Sequence, residues 1–330
     1  MSRTFLFGFV AAFTVSGLLA VPSSADDKKA DKPAAPPAAA AEKPKPRADP
    51  PTLADVAYGP HPKQVLDFYK AESKTPTPVL FYIHGGGWRA GSKNSFVAKA
   101  YLAAGISVVS VEYRFVHEAG DVTPPVKAPL HDAARALQFV RSKAAEWNID
   151  KTRIAASGGS AGACSSLWLA FHDDMADPKS DDPVGRESTR LLCAAVQGAQ
   201  TTLDPKQIRE WMPNGTYGAH AFYSSTPDKR TSASFDQFLA EREKLLPWIA
   251  EYSPYALVTS DDSPVALYYN GPPAMGQKTK DPTHSANYGL PLQDKCKSVG
   301  VQCDLIYPKT PEEKPQNPQA YLIEKLTGKK

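Results

Sequence analysis

Beyond its first fifty residues, this chain alternates short apolar runs with longer stretches of helical spacing. "QVLDFY" alternates apolar and polar in period two, and "PVLFYI" (Pro78 to Ile83) is a short apolar run that ends in glycines. "SFVAKAYLAAG" reads as a helix closed by Gly105, and "ISVVSVEY" as a β-branched strand buried on both faces. In "PLHDAARALQFVRSKAAEW", Leu130, Ala133, Ala134, Leu137, Val140, Ala144 and Trp147 repeat at the spacing of one helix face. "RIAAS" is a further strand and "AGACSSLWLAFH" a further helix. "LLCAAVQ", "PVALYYN" and "VQCDLIY" predict three more strands. Strands that alternate with helices of this length imply βαβ units, hence an α/β fold with a mostly parallel sheet and helices on both faces. Sites in such sheets form where loops leave the carboxyl ends of the strands.

Two regions break the pattern. At the N-terminus Arg3 precedes the apolar run "FLFGFVAAFTVSGLLAV" and the small residues "PSSA". That order predicts a signal peptide over 1–25, cleaved after Ala25, and a secreted or periplasmic protein with no stable membrane span after cleavage. An uncleaved anchor is the alternative. Residues 26–51 are rich in Ala, Pro and Lys and read as a spacer. The remainder, 52–330, is expected to be one domain. Within it, about 201–253 interrupts the alternation with Trp211, Tyr217, His220, Phe222 and Tyr223, followed by the helical "SFDQFLAEREKLLPWIAEY". This stretch is too long for a connection and too aromatic for a disordered loop, so it is expected to cap the upper edge of the sheet.

Composition narrows the function classes. The 38 basic and 35 acidic residues leave a net charge of +3, too even to suggest a nucleic-acid partner. Of the four cysteines, Cys164 and Cys193 lie in apolar stretches as expected for buried thiols, whereas Cys296 and Cys303 flank a turn where a bridge is open. None has CxxC spacing, so neither a redox nor a zinc site is expected, and no cofactor is expected elsewhere.

The candidate chemistry lies in two glycine motifs. "GGSAG", Gly158 to Gly162, stands between a strand and a helix with Ser160 at its centre. That context makes it a nucleophile elbow, a tight turn that lifts the serine hydroxyl above the sheet. "HGGGW", His84 to Trp88, follows the strand "PVLFYI". Its glycines allow backbone N–H groups to approach a developing oxyanion, and Gly86, Gly87 and Ala161 are the expected donors. Neither GxxxxGK[ST] nor GxGxxG, the phosphate-loop alternatives, occurs here.

Together with "YGPHPKQVLDFY", "VEYRF", "HDAARALQFV" and the "LIYP" strand, these motifs resemble the α/β-hydrolases of the hormone-sensitive-lipase and carboxylesterase type, and bacterial feruloyl-esterase-like (BD-FAE-like) enzymes in particular. The resemblance covers about Tyr58 to Leu326. It implies metal-free hydrolysis of carboxylic esters, either small or carbohydrate-linked, by a Ser–Asp–His triad through an acyl-enzyme. The family's acid follows the strand that reads "PVALYYNG" here. With "PPAMGQKTK" taken as an insertion, Asp281 stands in its place; without the insertion, Ala274 does. The family's histidine follows the last strand in a pattern close to YPGxGH. In this chain "YP" is followed by "KTPEEKPQNP", with Lys314 or Pro315 at the histidine's place.

His284, three residues after Asp281, is the substitute favoured by position, and Asp204 is an alternative acid. His220 in the cap and His117 after "VEYRF" are further candidates for the base. His61 lies in the N-terminal segment and His172 at the end of the elbow helix. His84 is expected to order its own loop, and His131, beside Asp132, to be structural. Two functions follow: a serine esterase acting on Ser160, or a hydrolase-fold binding protein whose turnover has lapsed.

Overall fold

The computed structural model describes residues 47, 49–223, 232–311 and 314–328. The expected leader and most of the spacer lie outside them. Among the described residues an eight-stranded sheet runs in the order β1-β2-β4-β3-β5-β6-β7-β8. The strands are β1 (Leu53–Ala57), β2 (Val65–Tyr69), β3 (Thr77–Ile83), β4 (Ser107–Val111), β5 (Ile149–Gly159), β6 (Cys193–Gln197), β7 (Val265–Tyr268) and β8 (Cys303–Ile306). β2 is antiparallel to both its neighbours, and from β4 to β8 every pairing is parallel. This is the α/β-hydrolase arrangement expected above.

Strand residues feed two cores in period two. In β6, Ala194 and Val196 enter the larger core, while Cys193 and Ala195 enter the smaller one on the opposite face. α1 (Lys99–Ala103) is much shorter than its sequence suggests, because the preceding residues are committed elsewhere. Lys93 is buried with its Nζ 2.7 Å from Asp67 Oδ1, and its N–H donates to Glu112 Oε2. At the start of α1 the Asp49 carboxylate accepts from the Ala98 and Lys99 N–H groups. α2 (Lys127–Ser142) buries the apolar stripe read above, and a break at Lys143 separates it from α3 (Ala144–Trp147). α4 (Ala161–Phe171), the elbow helix, is buried along its whole length.

The cap region carries α5 (Pro205–Trp211), α6 (Ala219–Phe222), α7 (Ser232–Ala240) and α8 (Arg242–Tyr252). The long helix expected over "SFDQFLAEREKLLPWIAEY" is thus two helices meeting at Glu241. There the Glu241 carboxylate accepts from Tyr223 Oη at 2.6 Å, and Arg242 turns to Asp204. After α9 (Pro254–Leu257) and β7 come α10 (Gly289–Ser298), β8 and α11 (Pro318–Thr327). α1 and α11 line the smaller core; α2, α4 and α10 line the larger. All four cysteines are buried free thiols, Cys296 and Cys303 included. The last residues of the expected spacer are tied to the sheet: Arg47 bridges Asp55 and Asp67, and Asp49 accepts from the Ala98 N–H at 2.8 Å.

Candidate active site

At the end of β5 the chain turns sharply through Ser160, which takes φ 55° and ψ −123°. A residue with a side chain adopts that conformation only under strain, and the surrounding contacts hold it there. The Ser160 N–H donates to Gln197 O at 3.0 Å, and Ser160 O receives the Cys164 N–H of α4. The neighbouring position must be small. A Cβ on Gly162 would stand 2.1 Å from Ile83 O at the end of β3. The hydroxyl is therefore presented at the upper edge of the sheet, beside the N-terminal donors of α4, where Ala161 N–H has no intrahelical acceptor.

The HGGGW loop follows β3, the neighbour of β5. Gly86 has φ 109°, and a Cβ there would lie 2.0 Å from Ala90 O, so the loop closes only with glycine. Arg89 and Ala90 N–H both donate to Gly86 O, which makes the turn tight. His84 is buried beneath it, with Nδ1 2.7 Å from Gly85 O, its ring stacked on Tyr113, and Nε2 3.4 Å from Glu112. Burial acts to raise the Glu112 carboxyl, but the His84 hydrogen bond and Lys63 outweigh it and leave the group below its usual range. His84 thus orders the loop that carries Gly86 and Gly87.

His284 and Asp281 arrive together from the loop after β7. His284 Nε2 lies 3.0 Å from Ser160 Oγ, and His284 Nδ1 lies 2.8 Å from Asp281 Oδ2. The other Asp281 oxygen, Oδ1, accepts from the backbone N–H groups of Thr283 and His284 at 3.1 and 3.3 Å. Partial burial works against the Asp281 charge. The His284 imidazole and these two donors prevail, and the carboxyl sits below its ordinary range. An ionised carboxylate can only accept, so Nδ1 carries the proton and the Nε2 lone pair faces the serine hydroxyl. Ser160, His284 and Asp281 therefore form one continuous hydrogen-bonded chain. The dyad is open to solvent, with side-chain exposures of 37% for His284 and 61% for Asp281.

The other candidates are occupied elsewhere. Asp204 caps α5 through the Lys206 N–H and pairs with Arg242 through both oxygens at 2.8 Å. His172 faces Glu251, and His131 packs on Trp168. His220 lies against Trp88 and Tyr217, and His117 against Phe115. His61 Nδ1 accepts the Lys63 N–H. The histidine-free final loop has its own bonds: Lys314 Nζ meets Asp304 at 2.6 Å, and Pro315 O accepts from Tyr268 Oη at 2.9 Å. Among the described residues no cluster of His, Cys, Asp or Glu could hold a metal ion.

Three residues that sequence reasoning missed secure the dyad's loop. Asn287, fully buried, accepts from Ala274 N–H and donates to Ala274 O and Trp211 O. Asn214 exchanges two bonds with the Thr279 backbone, accepting its N–H at 3.1 Å and donating to its carbonyl at 2.8 Å. Gln200 Nε2 donates to Thr283 O at 2.7 Å, directly before His284. The insertion "PPAMGQKTK" is thereby stitched to the cap at Trp211 and Asn214. Nothing local in the sequence distinguishes these amides from surface ones.

Curated esterases are similar to parts of this chain. Gut esterase 1 of Caenorhabditis elegans is 37% identical over 114 residues, which is 32% of this chain and 20% of that protein. Carboxylesterase NlhH of Mycobacterium tuberculosis is 41% identical over 96 residues, 28% of either chain. The chain thus spans under a third of the length of these curated relatives. The crystal structure of an acetyl ester-xyloside bifunctional hydrolase from Caldicellulosiruptor lactoaceticus shares the fold. Its TM-score is 0.55 at 24% identity, over 74% of this chain and 76% of that one. The BD-FAE family model matches residues 66–270, a span that includes Ser160 and HGGGW but ends before Asp281 and His284. As that match takes in well over half of the 330 residues, the chain belongs to the BD-FAE family.

Proposed function

We propose that this protein is an exported serine hydrolase that cleaves carboxylic esters through an acyl-enzyme on Ser160. The observation that carries the reading is the unbroken chain Ser160–His284–Asp281, at 3.0 and 2.8 Å. In the proposed cycle His284 Nε2 takes the hydroxyl proton as Ser160 Oγ attacks the ester carbon. The N–H groups of Gly86, Gly87 and Ala161 receive the oxyanion. His284 then gives its proton to the leaving alcohol, and a water activated by the same nitrogen releases the acid. Asp281 keeps the imidazole in the required tautomer throughout. Substrates are small or carbohydrate-linked acyl esters. The esterase names of the curated relatives support the reaction class, and the N-terminal apolar run supports export.

The lapsed-enzyme alternative rested on the histidine-free final loop. It loses its motive once His284 stands at hydrogen-bond distance from the nucleophile. The test is hydrolysis of a short-chain aryl acetate, with a serine-reactive fluorophosphonate as a label. Ser160→Ala and His284→Ala are each expected to lose on the order of 10⁶ in turnover, leaving the contribution of the oxyanion hole and binding. A folded wild-type protein that neither turns over the ester nor takes the label would overturn the proposal.

A further inference from the structure

The loop 84–93, which carries the expected oxyanion donors, leaves β3 and runs directly against the elbow. A Cβ on Gly85 would stand 2.6 Å from Gly159 O and 3.4 Å from Ser160 Cβ. Within the loop Trp88 takes φ 55°, which a residue with a side chain adopts only under constraint. Two constraints act at Trp88 itself. Its Nε1 donates to Ser165 Oγ of α4 at 3.0 Å, and its carbonyl accepts from the Val116 N–H at 2.9 Å. The two ends of the loop meet a single side chain, that of Glu112.

Glu112 follows β4, and strand register sets it beside His84, since Ile83 pairs with Val111. Its main chain is fixed by an N–H bond to Val65 O at 3.0 Å, and Tyr58 Oη donates to its carbonyl at 2.6 Å. From that anchored position the carboxylate reaches both ends of the loop. Oε1 lies 3.4 Å from His84 Nε2, where the loop begins, and Oε2 accepts from the Lys93 N–H at 3.2 Å, where it ends. Lys93 is pinned a second time, because its Nζ lies 2.7 Å from both Asp55 and Asp67. Lys63 Nζ, 3.3 Å from Oε1, closes the remaining side and leaves the Glu112 side chain 8% exposed. Burying a carboxylate is costly unless several donors meet it. Here the donors come from separate parts of the chain, which an apolar side chain of the same size would not join.

We infer that Glu112 is a positioning residue of the oxyanion hole, whose carboxylate clasps the two ends of the loop and so fixes the N–H groups of Gly86 and Gly87 against the elbow. The inference rests on the serine-hydrolase reading and deepens it. Glu112 acts through His84 and Lys93. A correctly aimed oxyanion donor contributes on the order of 10²–10³ to kcat, and it does so in the transition state, because the alkoxide exists only there. Slackening the clasp therefore lowers kcat and leaves KM nearly unchanged.

The test uses the full-length protein and Glu112→Gln, which keeps the size of the side chain and one acceptor oxygen but removes the charge. With a short-chain aryl acetate the variant is expected to lose about tenfold in kcat, with KM within about twofold. A short alkyl trifluoromethyl ketone supplies a second readout. Ser160 Oγ adds to its carbonyl carbon, the hydroxyl proton passes to His284 Nε2, and the former carbonyl oxygen becomes an alkoxide facing the donors. Its inhibition constant is expected to rise by about the same factor as kcat falls. The matching methyl ketone, which forms no stable adduct, is expected to bind unchanged. Glu112→Asp keeps the charge but withdraws it from both ends of the loop by one methylene, and the same pattern is expected there should the glutamine variant fail to fold. A folded variant with unchanged kcat and unchanged inhibition, and at most a lower melting temperature, would make Glu112 a stabilising residue only and overturn the inference. Equal weakening of both ketones would overturn it too, as a general loss of the site's shape. A wild type inert to the ester and to the trifluoromethyl ketone alike would sink the serine-hydrolase reading, and the inference with it.

Discussion

Asp281 and His284 stand three residues apart in one turn, so a single loop carries both. This spacing lets Asp281 hold the histidine by its ring and by its backbone at once, through Oδ2 to Nδ1 and Oδ1 to the His284 N–H. Solvent reaches the pair, however, and an exposed charge-assisted bond is worth less than a buried one. Asp281→Asn is therefore expected to lower kcat by on the order of 10²–10³, short of the ~10⁴ typical of a buried triad acid. Steady-state kinetics on a short-chain acetate would measure it. The elbow at Ser160 and the tight turn at Gly86 were legible because their motifs impose local geometry. Asp281 and His284 were legible only as candidates, since Asp-Pro-Thr-His is also an ordinary turn and Ala274 competed for the acid's place.

Among the elements, the cap does more than cover the sheet edge. Its α5 end and Asn214 hold the insertion that precedes Asp281. Asn287→Ala would leave Ala274 N–H, Ala274 O and Trp211 O without their partner, at a cost of about 3 kcal/mol. A matching fall in melting temperature is expected in calorimetry. Asn214 is only half-buried. Asn214→Ala is expected to change the melting point little but to lower kcat several-fold at nearly constant KM. Asn214→Asp, which keeps the acceptor for Thr279 N–H, should restore part of the loss. Seven of the eight strands and α2 followed from apolar period; β1, exposed along most of its length, carries no such period and was not read. The shortened α1 and the break at Glu241 did not follow, because the Asp49 contact to the Ala98 and Lys99 N–H groups and the Arg242–Asp204 pair join distant segments, and these override local helix propensity.

For the molecule as a whole, acid sensitivity is set partly by a histidine outside the site. Burial beside Trp168, with help from Lys127, pushes His131 down to about 4. Between that value and its ordinary 6.5 the unfolded chain binds a proton that the folded chain refuses. Stability therefore falls as pH drops through this window, by about 3 kcal/mol at full extent. Urea unfolding at intervals from about pH 7 to 4 should trace the loss, and His131→Gln should flatten it.

The sequence by itself determined the alternating strands and helices, the elbow at Ser160 and the glycine loop at His84 to Trp88. Each is governed by interactions within a few residues, where side-chain period and glycine content suffice. Only the tertiary structure decided which histidine stands at hydrogen-bond distance from Ser160. His284 is 124 positions away, and its approach depends on the register of β6 and β7, on Gly198 beneath its ring, and on amide bonds from the cap. Those contacts form only when the sheet closes, and they bring His284 to Ser160 from a loop where the family pattern alone would not have placed a histidine.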